Sequence, residues 1–167
     1  IRALCEDKQG NLWVGVKDGI LRIYDADRTY KGYLTENGII STVGTPVKGT
    51  AYFIIQDSKG VIWIATKGDG LIRAEATSLS GMSYKLTRYL HQEDDMYSLS
   101  DNNVYCVYED HNGRIWAATF AGGINYLTEN EDGKVLFINH RNHLKGYPID
   151  PCYKARFITS DNNGRLW

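Results

Sequence analysis

One seven-residue phrase occurs four times along the chain at a nearly constant spacing. It reads DKQGNLW at residues 7–13, DSKGVIW at 57–63, DHNGRIW at 110–116 and DNNGRLW at 161–167. The four tryptophans are therefore separated by 50, 53 and 51 residues. A period near fifty residues is typical of propellers and solenoids, in which each repeat buries its apolar face against its neighbours.

The residues around each phrase have the composition of β-strands. The segments IRALCED, AYFIIQD, VYCVYED and ARFITSD are short, rich in β-branched and aromatic residues, and end at a turn signal. A second strand follows each turn as LWVGV, IWIAT or IWAAT, and a third follows a second turn as ILRIY, LIRA or INYL. A fourth strand is expected at residues 30–36, 84–90 and 135–140. Four antiparallel strands in a unit that repeats radially predict β-propeller blades.

The aspartate, glycine and tryptophan of the phrase are expected to be structural. The aspartate can accept hydrogen bonds from turn amides, and the glycine supplies the positive φ that closes a type I turn with a bulge. A catalytic group is needed once and not four times, so the aspartates are interpreted as turn caps and the tryptophans as packing between blades. These positions are Asp7, Gly10, Trp13, Asp57, Gly60, Trp63, Asp110, Gly113, Trp116, Asp161, Gly164 and Trp167.

The predicted fold is all-β: a β-propeller fragment of about three four-stranded antiparallel blades and the start of a fourth. The repeat units are approximately residues 1–50, 51–103 and 104–154, with a truncated unit at 155–167. Propellers typically close with about four to eight blades. We therefore expect the chain to belong to a longer propeller, or to associate with a second copy through apolar blade faces and unpaired strand edges. Two copies would give about six and two-thirds blades, close to a seven-bladed ring.

Composition and motifs argue against several classes of function. A net charge of −1 gives no basic field for nucleic acid, and the apolar run at 61–65 is far too short to span a membrane. The GDGLIR segment at 68–73 lacks the third glycine and the helix of a dinucleotide loop. His140 and His143 have no third ligand at a suggestive spacing, so neither a metal site nor a cofactor is expected. No catalytic residue is nominated.

The three cysteines allow at most one internal disulfide bond. Cys5 and Cys106 lie inside predicted strands, where they are interpreted as small buried hydrophobic residues. Cys152 lies in a proline-containing loop and is the better candidate for an exposed thiol.

The extended repeat, D-x-x-G-x-[ILV]-W-[IVA]-[GA]-[TV] followed by G-[IL], resembles the two-component regulator propeller repeat. The segments DSKGVIWIATKGDGLIR at 57–73 and DHNGRIWAATFAGGINY at 110–126 match it almost throughout, and SLSDNNVYCVYED at 98–110 resembles its lead-in. The Gly-His and Trp-Asp signature of WD repeats is missing, and the Gly-Gly pair of kelch repeats stands after the tryptophan instead of before it.

This resemblance implies a function in signalling. Members of the family form the extracytoplasmic, periplasmic sensor of hybrid two-component regulators, often in bacteria that degrade polysaccharides. In such proteins a membrane helix, a histidine kinase, a receiver and a DNA-binding module follow the propellers. The resemblance therefore implies a sensor segment that is not itself an enzyme and that controls transcription through a downstream kinase.

Candidate ligand-binding residues come from loops that differ between repeats. In a propeller, the loop entering a blade and the turn between its second and third strands open on the same face. Aromatic rings beside amides and charged donors on that face suit an oligosaccharide, although solvated loops contain the same residue types. The nominated residues are Lys17, Lys67, Asp69, Tyr97, Asn103 and Phe120, and the same loops also carry Asp18, His91, Asp101, Asn102, His143 and Tyr147.

Two other functions remain open from the sequence. A propeller-type polysaccharide lyase or glycosidase would need two convergent titratable groups, and the sequence nominates none. A protein-binding scaffold would use a blade face and perform no chemistry.

Overall fold

The computed structural model describes residues 1–167 and is nearly all-β. The first antiparallel sheet contains β1 (Ala3–Glu6), β2 (Leu12–Gly15), β3 (Leu21–Tyr24), β4 (Tyr30–Leu34) and β5 (Ile40–Ser41). The second contains β6 (Thr50–Gln56), β7 (Ile62–Lys67), β8 (Leu71–Ala76) and β9 (Tyr84–Tyr89). The third contains β10 (Val104–Glu109), β11 (Ile115–Thr119), β12 (Gly123–Glu129) and β13 (Val135–Ile138).

Each sheet is an antiparallel meander in which strands pair in chain order, so the prediction of three propeller blades is confirmed. The predicted fourth strands are present as β4, β9 and β13, each ending one or two residues early. The first blade also has a fifth strand that the sequence reading placed in a connection: β5 pairs with β4 through Tyr33 with Ser41 and Leu34 with Ile40.

The region after the third blade differs from its prediction. The segment ARFITSD was expected to be a strand, but it has no regular strand structure. Its pairing is limited to an isolated bridge between Ser160 and Leu166. The preceding connection contains a short helix, α1 (Ile149–Cys152), so Cys152 is exposed as predicted but lies on a helical turn and not in a loop. The structure contains no candidate membrane-spanning helix.

The first strands of the blades form a hub. β1, β6 and β10 each lie at the edge of their own sheet, and β6 packs against both β1 and β10. The blades therefore fan outward from these three strands, and β4, β9 and β13 lie away from the hub.

The core of the molecule lies between neighbouring blades. One buried cluster joins Trp13 and Leu21 of the first blade to Ile54 and Ile64 of the second. A second cluster joins the second and third blades and includes Trp63. Trp116 packs with Ile158 beyond the third blade. Trp13, Trp63 and Trp116 are thus buried against neighbouring segments as predicted, whereas Trp167 is 73% exposed, so the prediction of packing between blades is wrong for the fourth copy.

The Asp–Gly–Trp turn has the predicted geometry in all four copies. In the second copy the Gly60 amide donates to the Asp57 carbonyl at 3.0 Å, and the Asp57 amide donates to the Val61 carbonyl at 2.9 Å. Gly60 has a φ of +86°, as the bulge after a type I turn requires. The Asp57 Oδ1 accepts the Val61 amide at 2.8 Å, so this aspartate caps the turn as predicted.

A hydrogen-bonded latch joins the turn of one blade to the next blade. The Lys8 amide donates to Oε1 of Gln56 at 2.6 Å. One blade further, the Ser58 amide and hydroxyl donate to the two carboxylate oxygens of Glu109 at 2.7 and 2.6 Å. Gln56 and Glu109 both directly precede the turn aspartate of their blade, so the latch repeats with the period of the sequence.

Candidate ligand-binding face

The loops that enter the blades and the turns after their second strands share one end of the molecule, which we call the entry face. The Gly70 amide donates to the Asn102 carbonyl at 2.9 Å, and the Ala155 amide donates to the Thr119 carbonyl at 3.0 Å. In the first blade the turn at Gly19 lies beside Thr50. The Asp–Gly–Trp turns of the three blades lie at the opposite end, because β1, β6 and β10 run from the entry face toward them.

Three of the nominated residues lie on the entry face without forming a common site. Lys17 and Lys67 are exposed at the turns of the first and second blades. Asp69 is engaged elsewhere, because its Oδ1 lies 3.5 Å from Nζ of Lys48. No salt bridge joins Asp69 to either lysine.

Tyr97 lies near the outer part of the third blade. Its hydroxyl is 2.8 Å from Nε2 of His143, and its carbonyl accepts the Phe137 amide of β13 at 2.8 Å. Because β13 lies away from the hub, Tyr97 and His143 are separated from the residues around Phe120. Arg141 helps to hold these outer loops together by donating from Nη2 to the Glu93 carbonyl at 2.8 Å.

Asn103 supports Phe120. Its carbonyl accepts the Phe120 amide at 2.9 Å, and its own amide donates to Oδ1 of Asp101 at 3.0 Å. The other oxygen of Asp101 accepts the Ala121 amide at 2.6 Å. These hydrogen bonds show that Asp101 and Asn103 position the turn that carries Phe120.

Phe120 belongs to a row of three aromatic rings at the hub, which we call the hub band. The ring centroids of Tyr52 and Tyr105 are 5.1 Å apart and those of Tyr105 and Phe120 are 5.7 Å apart. The planes of these pairs are tilted by 35° and 42°. All three side chains are partly exposed, so the band offers aromatic surface to a ligand.

Both tyrosines of the hub band sit at β-bulges. Ala51 pairs with Thr66 and Phe53 pairs with Ala65, which leaves Tyr52 as the extra residue of β6. Tyr105 is the corresponding extra residue of β10, between Val104 and Cys106. A bulge turns the strand locally and redirects the extra side chain. The sequence reading missed both tyrosines because alternating strand positions give no sign of a bulge.

Three cations flank the hub band. The Arg2 guanidinium lies 5.7 Å from the Tyr52 centroid and that of Arg156 lies 5.6 Å from the Tyr105 centroid. Nζ of Lys154 lies 5.0 Å from the Phe120 centroid. Such separations allow cation–π attraction. The segments IRALCED, AYFIIQD, VYCVYED and ARFITSD have Arg2, Tyr52, Tyr105 and Arg156 as their second residues. Comparing this position between the repeats could have located the hub band from the sequence.

A separate cavity of about 250 Å³ lies between the second and third blades, at the end opposite to the entry face. Trp63, Arg73 and Glu129 are among its lining residues. Nη2 of Arg73 lies 3.0 Å from the Glu75 carboxylate, and its Nη1 lies 4.0 Å from that of Glu129. The charge of this guanidinium is therefore balanced within the protein. No group of three or more His, Cys, Asp or Glu side chains is arranged as a metal centre.

Sequence comparison identifies relatives of the repeat. The two-component regulator propeller family matches residues 1–18 and 98–121. A curated relative, histidine kinase P4 of Formosa agariphila, is 27% identical over 111 residues, which cover 66% of this chain and 8% of the kinase.

Solved structures share the fold. Two extracellular domains assigned to hybrid two-component systems of B. thetaiotaomicron superpose with TM-scores of 0.71 and 0.65, at 23% and 24% identity. They cover 98% and 100% of this chain, which spans 21% of the length of each. A streptogramin B lyase superposes with a TM-score of 0.59 at 20% identity, over 99% of this chain and 46% of the lyase.

The segments that match the family model include copies of the Asp–Gly–Trp turn. The matched segments contain the first copy of the Asp–Gly–Trp turn and the lead-in and turn of the third. The second and fourth copies have the same hydrogen bonds between backbone groups of the turn. Two segments of the chain are therefore similar to the two-component regulator propeller repeat, and the remaining copies of the turn share its backbone geometry.

Proposed function

We propose that the chain is part of the ligand-sensing extracytoplasmic propeller of a hybrid two-component regulator, and that its ligand is an oligosaccharide. The observation that carries the proposal is the hub band, which presents three partly exposed rings side by side on a propeller of this family. Aromatic side chains offer large apolar surfaces suited to the C–H faces of sugars, and neighbouring donors can bind hydroxyl groups.

The proposed location is the periplasm, in a protein anchored in the inner membrane. Two similar structures are extracellular domains assigned to hybrid two-component systems, and the curated relative is a histidine kinase. These similarities support a parent protein in which a downstream kinase transmits the signal to transcription. The segment itself would bind ligand and perform no chemistry.

The geometry suggests how binding would act on the propeller. Tyr52 belongs to the second blade, whereas Tyr105 and Phe120 belong to the third. A ligand that contacts all three rings would stabilise one relative position of the two blades. Sensing requires such a difference in affinity between conformations, since a ligand with equal affinity for both shifts nothing.

Calorimetric titration of the purified chain with a panel of plant, algal and host oligosaccharides tests the proposal. We expect at least one to bind wild-type protein and to bind Phe120→Ala about tenfold more weakly, a difference of about 1.4 kcal/mol. Tyr30→Ala, which removes an exposed ring from β4, away from the hub, is the matched control and should bind normally. If no oligosaccharide binds, or if Phe120→Ala binds as wild type does, the proposal is wrong.

The same titrations address the enzymatic alternative. The similarity to a lyase shows only a shared fold at 20% identity. We expect chromatography to recover each bound oligosaccharide uncleaved after prolonged incubation. Accumulation of shorter or unsaturated products would contradict the proposed role and favour a lyase or glycosidase.

A further inference from the structure

We infer that the hub band selects acidic oligosaccharides, those carrying carboxylate or sulfate groups, over neutral ones. This inference rests on the proposed function and specifies its ligand class. It is drawn from the charges that surround the three rings, since the rings alone would accept a neutral sugar equally well.

The cations beside the band have no anionic partner. The salt bridges of the structure involve other cations, and none includes Arg2, Lys154 or Arg156. All three residues are exposed, and their side chains donate no hydrogen bond within the protein. Their N–H groups are therefore free to bind a ligand.

Three carboxylates of the same face are already engaged. Asp18 lies 2.9 Å from Nη2 of Arg22, and Asp69 pairs with Lys48. Asp101 accepts the backbone amides of Asn103 and Ala121. The charged groups that lie over the three rings are all cations without an ion-pair partner, although the whole chain carries a net charge of −1.

The arrangement of rings and cations matches an extended anionic chain. Arg2 and Arg156 stand in the first and fourth repeats at the same repeat position that Tyr52 and Tyr105 hold in the second and third. Each guanidinium lies near a ring that would hold a sugar and retains the planar fork of donors that binds carboxylate or sulfate in bidentate fashion. An oligosaccharide with several acidic units can contact the rings and a cation at each end.

The decisive experiment compares oligosaccharides that differ only in charge. Uronate oligosaccharides are titrated beside their carboxyl-reduced products, and sulfated ones beside their desulfated products. We expect every oligosaccharide that binds to do so about tenfold or more tightly in its acidic form. We also expect this advantage to decrease as salt is raised from low to about 1 M, because ions screen exposed charges.

Variants assign the selectivity to the band. Arg2→Gln and Arg156→Gln should each reduce the affinity for the acidic form by about tenfold and leave the neutral form nearly unchanged. Lys31→Gln on β4, away from the hub, is the matched loss of one positive charge and should change neither affinity. Circular dichroism checks that each variant is folded, and Lys154→Gln supplies a third substitution whose exposed side chain makes no hydrogen bond within the protein.

Each result decides between the two proposals. Equal affinity for acidic and neutral forms would overturn the charge selectivity but leave the proposed function standing. If the affinity for acidic oligosaccharides is unchanged in all three cation variants, the assignment of the selectivity to the hub band is wrong. Failure of every oligosaccharide, acidic and neutral, would overturn both proposals.

Discussion

The indole Nε1 of Trp63 donates a hydrogen bond of 2.8 Å to Oδ2 of Asp57, six residues earlier in the chain. The same bond joins Trp13 to Asp7 at 3.0 Å and Trp116 to Asp110 at 2.8 Å. The other carboxylate oxygen accepts amides of the turn, so one aspartate ties the turn to the core between blades. The seven-residue phrase therefore acts as one structural unit.

Replacing Asp57 by Asn tests this unit. If the amide keeps its oxygen toward the turn, its NH₂ group faces the indole N–H and the buried donor of Trp63 loses its acceptor. An unsatisfied buried donor costs about 1–3 kcal/mol, so we expect Asp57→Asn to lower the free energy of unfolding by about 2 kcal/mol. Urea denaturation followed by tryptophan fluorescence measures the change.

The matched control is the double variant Asp57→Asn with Trp63→Phe. Phenylalanine has no indole donor, so the cost of Asp57→Asn should be smaller in the Trp63→Phe background than in wild type. Equal costs in the two backgrounds would show that the indole bond does not contribute to stability.

Acid should destabilise the protein through Asp110. Burial tends to raise the pKa of this carboxyl, but hydrogen bonds from the Trp116 indole, from Arg114 and from Asn112 outweigh it, so the pKa lies below the ordinary 3.8. The unfolded chain therefore binds a proton at higher pH than the folded protein does. The stabilisation is present above about pH 4 and is lost as the pH falls through the folded pKa.

Urea midpoints measured from about pH 6 downward in wild type and Asp110→Asn test this expectation. The wild-type stability should decrease more steeply in acid than that of the variant, because an amide does not titrate. Parallel curves for the two proteins would assign the acid sensitivity to other groups.

Gly60→Val should destabilise the second turn through the backbone. The φ of +86° at this position is unfavourable for a β-branched residue, while a Cβ would meet nothing closer than Nε2 of Gln56 at 3.9 Å. We expect a loss of about 1–3 kcal/mol from conformational strain, measured by thermal unfolding. Gly60→Asn should cost less, because asparagine tolerates this conformation. An unchanged melting temperature in Gly60→Val would contradict the turn assignment.

The blades and their turns were predictable because they repeat, and each copy supports the interpretation of the others. The strand β5 was not predictable from the sequence, because its two residues, Ile40 and Ser41, are too few to show an alternating pattern. The hub band was only partly predictable. Phe120 was nominated from its turn, whereas Tyr52 and Tyr105 depend on bulges that one-residue shifts in pairing create.

The other nominated ligand residues show a second limit of the sequence. Residue type and loop position nominated Tyr97 and Asp69, but the partners that occupy their side chains are distant in the chain. Tyr97 meets His143, and Asp69 meets Lys48. Such pairings follow from how the blades pack and not from local pattern.

The latch between blades predicts a difference between two glutamates at the same repeat position. Glu109 accepts two hydrogen bonds from Ser58 of the preceding blade, whereas Glu6 contacts only the exposed Arg28 at 3.1 Å. Glu109→Ala should cost about 1 kcal/mol, and Glu6→Ala no more than about 0.5 kcal/mol. Urea denaturation of both variants compares them directly. Equal losses would show that the latch adds nothing beyond an exposed ion pair.

Two outer faces of the blades expose apolar side chains. Leu4 of β1 is 55% exposed, because alternate residues of that strand face the second blade and leave Leu4 on the other side. Beyond the third blade, Phe157 and Trp167 are 61% and 73% exposed and line a cavity of about 430 Å³. Apolar surface of this kind marks sites of association between proteins.

We therefore expect the isolated chain to self-associate through these faces, since burying apolar surface contributes about 25 cal/mol per Å². Static light scattering over a range of concentrations should show a mass that rises above that of the monomer. Leu4→Lys and Phe157→Lys should each lower the association, because a buried unpaired ammonium is costly. Lys85→Glu, an exposed change on the outer strand β9, should have no effect on the mass. A cooperatively folding monomer at the highest concentrations reached would contradict the expectation, and would mean that these faces are stable in contact with water.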